Sequence, residues 1–543
     1  MCGIISDLLT ILNKFYKTDR YSQYMFRICA FIACLLLSGC VMVGPDYQEP
    51  VTQVAQHWPD KDKTVKELPS LETKWWEVFN DPILTTLIQR GYQDNISIEI
   101  AGVRVLQARA KLAQSVGSLY PQQQAMIGNY NYNRIGGGSL QGLVPESFNT
   151  ASLGFTQSWE IDFWGKYRRA IQSNDAAFLA TVAAYDNALL TLTADIASTY
   201  IKIRTTERKV FITQENIKVQ TIGLDIAKSR FNAGETSLVD VEQAQTELSQ
   251  TEATLPSLYN ELQHEKDTLA ILLGTIPGGA DELINVGKSE IPKAPMSVAV
   301  GVPLETLMRR PDIHQARLEA MAQSAAIGAI KATLFPSVSL TGLFLFTSNN
   351  IGTDSLSALF SLQNRAITAG PGLNWSLFNY GQITNAVRVQ DAIFQESVLK
   401  YANLMLKAQQ EVQDNISSYI EAKNAQQYLE KANAAATKTL KLTLIRYKEG
   451  ETDFTPVLYA EQQQLNVQTL LTESQGEIPL GLVALYRSLG SGWEIRDDND
   501  VISSQLKGDM AIRTNWGSLL QQENHQPPVT AWQEFKQLYL PVW

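Results

Sequence analysis

From Gln124 the chain alternates with a period of two: Met126, Gly128, Tyr130 and Tyr132 stand against Ile127, Asn129, Asn131 and Asn133. After a Gly-rich loop that includes Gly136 to Ser139, Leu153, Phe155, Trp159 and Ile161 stand against Ser152, Thr156, Ser158, Glu160 and Asp162. This predicts a strand hairpin with one apolar and one wet face. The pattern returns after Pro336, where Val338, Leu340, Phe344 and Phe346 alternate with Ser337, Ser339 and Thr341, although Leu343 and Leu345 weaken the polar side. A returning strand is predicted over Ala366 to Phe378, which makes four strands. After each hairpin the strand period stops and a proline-free segment begins, from Lys166 to about Asn232 and from Gln382 to about Lys448. A continuous helix of that length would span on the order of 100 Å.

The stop signals match as well. The long helices end at RFNAGETS and RYKEGETD, where Gly234 and Gly450 can adopt the left-handed conformation that closes a helix. Ser237 followed by Asp240 has capping-box form, and Pro456 after Thr455 suits the start of a new helix. The returning helices are predicted to run to about Gly274 and Gly490. A shift of 216 residues lays the chain on itself without a gap from Gly154 to Leu255: Trp159 meets Trp375, Tyr185 meets Tyr401, and Arg230, Gly234, Glu235 and Thr236 meet Arg446, Gly450, Glu451 and Thr452. The chain is therefore a duplicated module, and neither copy is expected to be a complete domain. Ahead of the first hairpin, helical patterning runs from Trp75 and Trp76 to about Tyr120 and is broken by Pro121.

The formal charge is −10, and residues 1 to 39 hold four basic and two acidic residues, so the remainder is more acidic still. Such a body has no general electrostatic reason to bind nucleic acid, and an acidic inner surface favours cations. All cysteines (Cys2, Cys29, Cys34 and Cys40) lie in the first forty residues, which excludes a disulfide framework. Arg27 precedes the run ICAFIACLLL, too short to span a bilayer but suited to a signal-peptide core. Met25 alone could start that signal, so residues 1 to 24 need not be translated. Leu37-Ser38-Gly39-Cys40 then resembles a bacterial lipobox, in which Cys40 becomes the lipid-bearing first residue; the plainer reading is a signal peptide that contains a cysteine. Residue 41 is valine rather than aspartate, which in such signals points to the outer membrane. Residues 41 to 74, rich in proline and polar residues, read as an extended tether.

Four amphipathic strands cannot close a water-holding barrel, and two open edges would remain, so several chains must contribute. Strands that alternate apolar outside with polar inside suit a bilayer-crossing barrel; the alternative is a soluble, half-buried sheet. Long helices rich in alanine and glutamine bury one stripe and leave the other face wet, as in a tube wall or a plain coiled-coil stalk. Because strands and helices are joined end to end twice, a tube satisfies both. The four histidines, His57, His264, His314 and His525, are scattered, with no paired metal spacing, nucleophile elbow or phosphate-binding loop, so neither an enzyme nor a cofactor or metal site is predicted.

Five local motifs in order around the duplicated core, VGPDYQEP, WWEVFNDPILTTLI, LAILLGTIPG, VPLETLMRRPDI and VALYRSLGSGW, resemble the TolC-like outer membrane factors of the NodT/OprM-like lipoprotein branch, over about residues 40 to 493. The resemblance implies a mainly α fold with a transmembrane β part: a homotrimer in which each chain gives four of twelve strands and long periplasmic helices. It also implies a periplasmic adaptor, an RND-type or other inner-membrane pump, outer membrane lipid as surroundings, and a passive exit duct for small molecules or drugs. A polypeptide-secretion (type I) duct and a non-conducting envelope stalk are the alternatives. The chain divides on this reading into a signal peptide (1–39), a lipid-anchored tether (40–74), two structural repeats (75–278 and 279–493) and a polar tail (494–543) with a short helix near Trp516 to Gln522.

The turns Gly234, Glu235, Thr236, Ser237 and Gly450, Glu451, Thr452, Asp453 would be the periplasmic mouth, and the resemblance gives them the adaptor-docking role; read alone they are helix stop-and-start signals. The family closes its tube with a narrow ring that often includes aspartate. At the matching place this chain has Tyr459, with Thr455 one turn earlier, so Asp240 and Glu242 of the first copy would supply the charge. Asp240 has the alternative role of a capping-box acid. Arg309, Arg310, Pro311 and Asp312 are explained as a helix start with polar first-turn contacts.

Overall fold

The computed structural model describes residues 42–58, 65–67, 73–136, 145–285, 290–295, 297–352, 355–497 and 499–521. Cys40, the signal segment 1–39 and most of the Gly-rich loop lie outside them. The elements in chain order are β1 (Val65–Glu67), α1 (Pro82–Asp94), α2 (Ile96–Gly117), β2 (Gln123–Arg134), β3 (Ser147–Ile161), α3 (Lys166–Asn232), α4 (Leu238–Leu272), α5 (Asp281–Ile284), β4 (Val298–Val300), α6 (Pro303–Arg309), α7 (Pro311–Lys331), β5 (Ser337–Asn349), β6 (Arg365–Asn374), α8 (Gln382–Lys448), α9 (Thr455–Ser488) and α10 (Ser504–Arg513). The two long helices begin and end 216 residues apart, so the duplication read in the sequence holds at the level of whole elements.

The chain forms two compact units that cut across the repeats. One draws its described residues from Met1–Asp46, Ser115–Ser173 and Ser324–Asp391, the other from Tyr47–Gln114, Asn174–Gln323 and Ala392–Trp543. The first is a four-stranded antiparallel sheet in the order β2-β3-β5-β6, with the first turns of α3 and α8. The pairing of β3 with β5 joins one copy to the other. Trp159 and Trp375, superposed by the repeat, make equivalent bonds: their indole N–H groups donate to the carbonyls of Leu119 and Leu334, each at 3.1 Å.

The second unit is helical. Its core holds Trp75, Trp76, Leu84, Phe178, Tyr185, Tyr200 and Tyr486, with Trp75 stacked on Tyr486 at 5.7 Å. α3 contains a window apolar enough to cross a membrane by composition, but 67% of that window is buried inside the protein, so it is core.

Five expectations are corrected. The predicted helix over residues 75 to 120 is broken twice, because Asn80 turns left-handed (φ 50°) and Asp81 caps α1, and because the Asn95 side chain accepts from the Ile98 N–H and starts α2. The strand β6 ends at Asn374, not Phe378. Trp516 to Gln521 form turns rather than a helix; the helix of this region is α10, capped by Ser503. The tether is extended as expected but firmly held. In the first unit the buried Arg169 guanidinium donates to the Val43 and Gly44 carbonyls and to Asp46, and Gly44 crosses Gly328 so closely that an added Cβ would lie 2.4 Å from its Cα. In the second, Trp58 is buried and donates to the Gly301 carbonyl at 2.8 Å. Finally, Arg310 does more than start a helix: it donates to the Ser488 carbonyl at 2.7 Å and pairs with Asp312 and Glu411, fastening α6 to α8 and α9.

Candidate functional site: the strand faces and the paired helical turns

In the sheet unit the register assigns every side chain to a face. Met126, Phe155, Phe344 and Ile367 form one row straight across the strands, all exposed; Trp159 with Leu340, and Ile161 with Val338 and Leu373, continue the same face. Tyr130 and Tyr132 stand on it further along β2 and are also exposed. The opposite face carries Asn129, Ser152 and Thr347 in one row and Asn131, Thr150 and Asn349 in another. One apolar exception has a local cause: a Cβ at Gly154 would lie 2.9 Å from Leu345 Cδ1, so Leu345 lies over the glycine backbone. β2 and β6 are open edges. The sheet therefore has one greasy side, one wet side and two unpaired backbone edges.

In the helical unit the two turns repeat each other bond for bond. Gly234 and Gly450 are left-handed, at φ 76° and 78°. The Glu235 and Glu451 N–H groups donate to the Arg230 and Arg446 carbonyls, both at 2.9 Å, the six-to-one bond of a Schellman closure. The side chains of those residues pair too, Arg230 with Glu235 at 3.6 Å and Arg446 with Glu451 at 3.2 Å. All eight predicted turn residues are exposed except the half-buried Thr236 and Thr452.

Asp240 is the main departure. Ser237 occupies the N-cap with no side-chain bond, so the expected capping box does not form. Asp240 is only 6% exposed, and its Oδ2 accepts from Thr236 Oγ1 at 2.5 Å and from the Tyr447 hydroxyl at 3.2 Å. Its charge is engaged within the protomer and is not offered to solvent. Tyr447, buried among Leu224, Ala227, Leu248, Phe454 and Val457, is the residue that sequence reasoning missed. Arg230 stacks 4.7 Å over its ring and donates to its carbonyl at 2.6 Å, while Phe454 meets it edge-on at 5.3 Å. Burial, and then the Asp240 carboxylate, push the Tyr447 hydroxyl up to about 12. The other predicted gate residues are available: Glu242, Thr455 and Tyr459 are exposed, Tyr459 at 69%. Glu242 lines an open groove of about 460 Å³ with Leu238, Val239, Glu247, Leu458 and Gln462. Among the described residues no three His, Cys, Asp or Glu side chains are grouped to hold a metal.

The family model for outer membrane efflux proteins matches residues 87–275 and 302–491, one segment in each copy. The chain belongs to the outer membrane efflux protein family. Its relatives in that family include nodulation protein T of Rhizobium leguminosarum bv. trifolii, 28% identical over 466 residues that cover 84% of this chain and 96% of the relative. The solvent efflux pump outer membrane protein SrpC of Pseudomonas putida is 26% identical, over 87% of this chain and 99% of its own. Among solved structures the outer-membrane channel OprN is 29% identical with a TM-score of 0.76, covering 83% of this chain and all of that one. The Campylobacter jejuni CmeC outer membrane channel, at 19% identity and a TM-score of 0.77, shares the fold. The efflux-protein match spans both copies and both turns, so the greasy sheet face and the paired turns belong to an outer-membrane protein.

Proposed function

We propose that this outer membrane efflux protein is a passive exit duct, built from three copies, through which small molecules leave the cell. The observation that carries the reading is the sheet: four strands, greasy on one face and wet on the other, with both edges unpaired. Backbone groups left open at an edge are costly in a bilayer, and closure with further strands removes the cost. Three copies supply twelve strands, the greasy face turns to lipid, and the wet face lines water. Two relatives, the solvent efflux pump protein SrpC and the cation efflux system protein CusC of Escherichia coli, support an efflux role over a stalk or a polypeptide duct.

The duct reading places the lipid on Cys40, close ahead of the segment clamped by Arg169, and assigns the paired turns to a periplasmic adaptor that links the duct to an RND-type or other inner-membrane pump. Gating falls to Glu242, Thr455 and Tyr459, which are exposed at the start of α4 and α9, whereas Asp240 acts as an internal fastener. Purified full-length protein tests the duct in a planar bilayer, after its mass has been measured in detergent. A trimer with discrete, cation-selective steps is expected; a monomer, or a film that stays insulating, overturns the reading.

A further inference from the structure

Where α3 and α9 run antiparallel, polar residues meet in register: Lys209 with Glu473 at 2.9 Å, Asn216 with Gln468 at 2.6 Å, then Gly223 against Glu461, whose Oε1 lies 3.0 Å from where a Cβ on Gly223 would stand. Glu461 is 2% exposed and its Oε1 has no hydrogen-bond partner. Beside it on α4 is Glu247, 5% exposed, which accepts from Gln462 Nε2 at 2.7 Å. Two carboxyl groups thus share one apolar seam formed by Leu224, Ala227, Ala244, Leu248, Val457 and Ala460.

Among the described residues no cation of the seam neutralises them. From α3 the seam presents Gly223 and Gln220; from α8 it presents Tyr447, whose hydroxyl already serves Asp240 of α4. Arg230 is held by the Tyr447 carbonyl and Glu235, and Lys209 by Glu473. Within that described set Glu247 is the one charge that acts on Glu461. Two adjacent buried carboxylates cannot both ionise cheaply, so one retains a proton. Glu247 also lines the open groove at the start of α4, which gives water a route to the pair.

We infer that Glu461, buried beside Glu247 with its Oε1 unpartnered, holds a proton at neutral pH and acts as a built-in pH sensor for the seam between α3, α4 and α9, which tightens when the proton is on and loosens when it leaves. Burial, and then the charge of Glu247, push the Glu461 carboxyl up from 4.5 to about 8. The sign follows from proton counting. Between those two values the folded chain holds a proton that the unfolded chain has lost, so stability falls as pH rises and levels off above about 8.

Thermal unfolding of the full chain in detergent, from pH 5 to 9.5, tests this against Glu461→Gln, which keeps the shape and cannot ionise. The variant is expected to match the wild type near pH 5, to melt higher by roughly 2–5 °C at pH 8 and to keep that gap above it. Glu247→Gln removes the repelling neighbour and is expected to shift the wild-type decline to lower pH. A gap between wild type and Glu461→Gln that does not change with pH overturns the inference. So does a decline that follows Na⁺ or Ca²⁺ concentration at fixed pH, because the pair would then hold a metal cation rather than a proton. Whether the protein conducts does not enter this test.

Discussion

At the scale of single residues, Asp240 and Glu242, separated by Val241 alone, take opposite roles. Asp240 is buried and bonded to Thr236 and Tyr447, which ties the first turn of α4 to the last turn of α8. Glu242 points to water. A hydrogen bond to a charged acceptor is worth about 1.5–3 kcal/mol, so Tyr447→Phe should lower stability by that order. It should leave ion selectivity in a planar bilayer unchanged. Glu242→Gln should do the reverse, with no change in melting but weaker cation preference, since in the proposed trimer three exposed carboxylates would lie near one axis and attract cations through their summed field. Equal selectivity for Glu242→Gln and wild type would remove Glu242 from the gate. The exposure of Glu242 is not written in its neighbours, and the burial of Asp240 depends on Tyr447, more than 200 residues away; a capping box was the most that local spacing could give.

At the scale of elements, legibility followed periodicity. α3 and α8 were readable to their end residues because a proline-free run is bounded by a hairpin on one side and a left-handed glycine on the other. The faces of β2 and β3 were readable because alternation survives in them, and it persists more weakly in β5, where Leu343 and Leu345 stand on the polar side. The break at Asn95 was not, because the residue caps α2 from within an unbroken helical pattern. The clamp of Arg169 on residues 43 to 46 was not, because an extended segment carries no period to read. The turns were legible as stops, while their proposed docking role rests on something a lone chain lacks, a partner. Gly450→Val addresses it: a β-branched residue at φ 78° costs roughly 1–2 kcal/mol locally, too little to unfold the chain but enough to displace the turn. Drug efflux in cells should fall several-fold while outer-membrane trimer is retained. Unchanged efflux with retained trimer would leave the turn as a helix stop alone.

At the scale of the whole molecule, duplication has not produced two separable halves. The sheet is joined across the copies by the pairing of β3 with β5, so a single copy would have only one strand hairpin, and isolated hairpins are at best marginally stable. In the helical unit the copies share an apolar seam around Tyr447 and are also tied by buried or partly buried polar bonds: Arg204 donates to the Ile284 carbonyl at 2.7 Å, Arg230 to the Tyr447 carbonyl at 2.6 Å, and Asn216 to Gln468 at 2.6 Å. A buried donor that loses its acceptor costs about 1–3 kcal/mol, more when charged, and a lone copy would strand several at once while exposing Trp75, which stacks on Tyr486. Residues 40 to 278 expressed alone should therefore give no cooperative melting transition and should be degraded. Exported together with residues 279 to 543, they should recover a transition and assemble, because the chain break falls between Gly278 and Gly279, both exposed, in a local turn crossed by the bonds from the Gly279 N–H to the Ile276 carbonyl and from the Asp281 N–H to the Gly278 carbonyl. A first copy that melted cooperatively by itself would mean that the module is a domain in its own right, and that the seams between the copies are docking surfaces rather than the core.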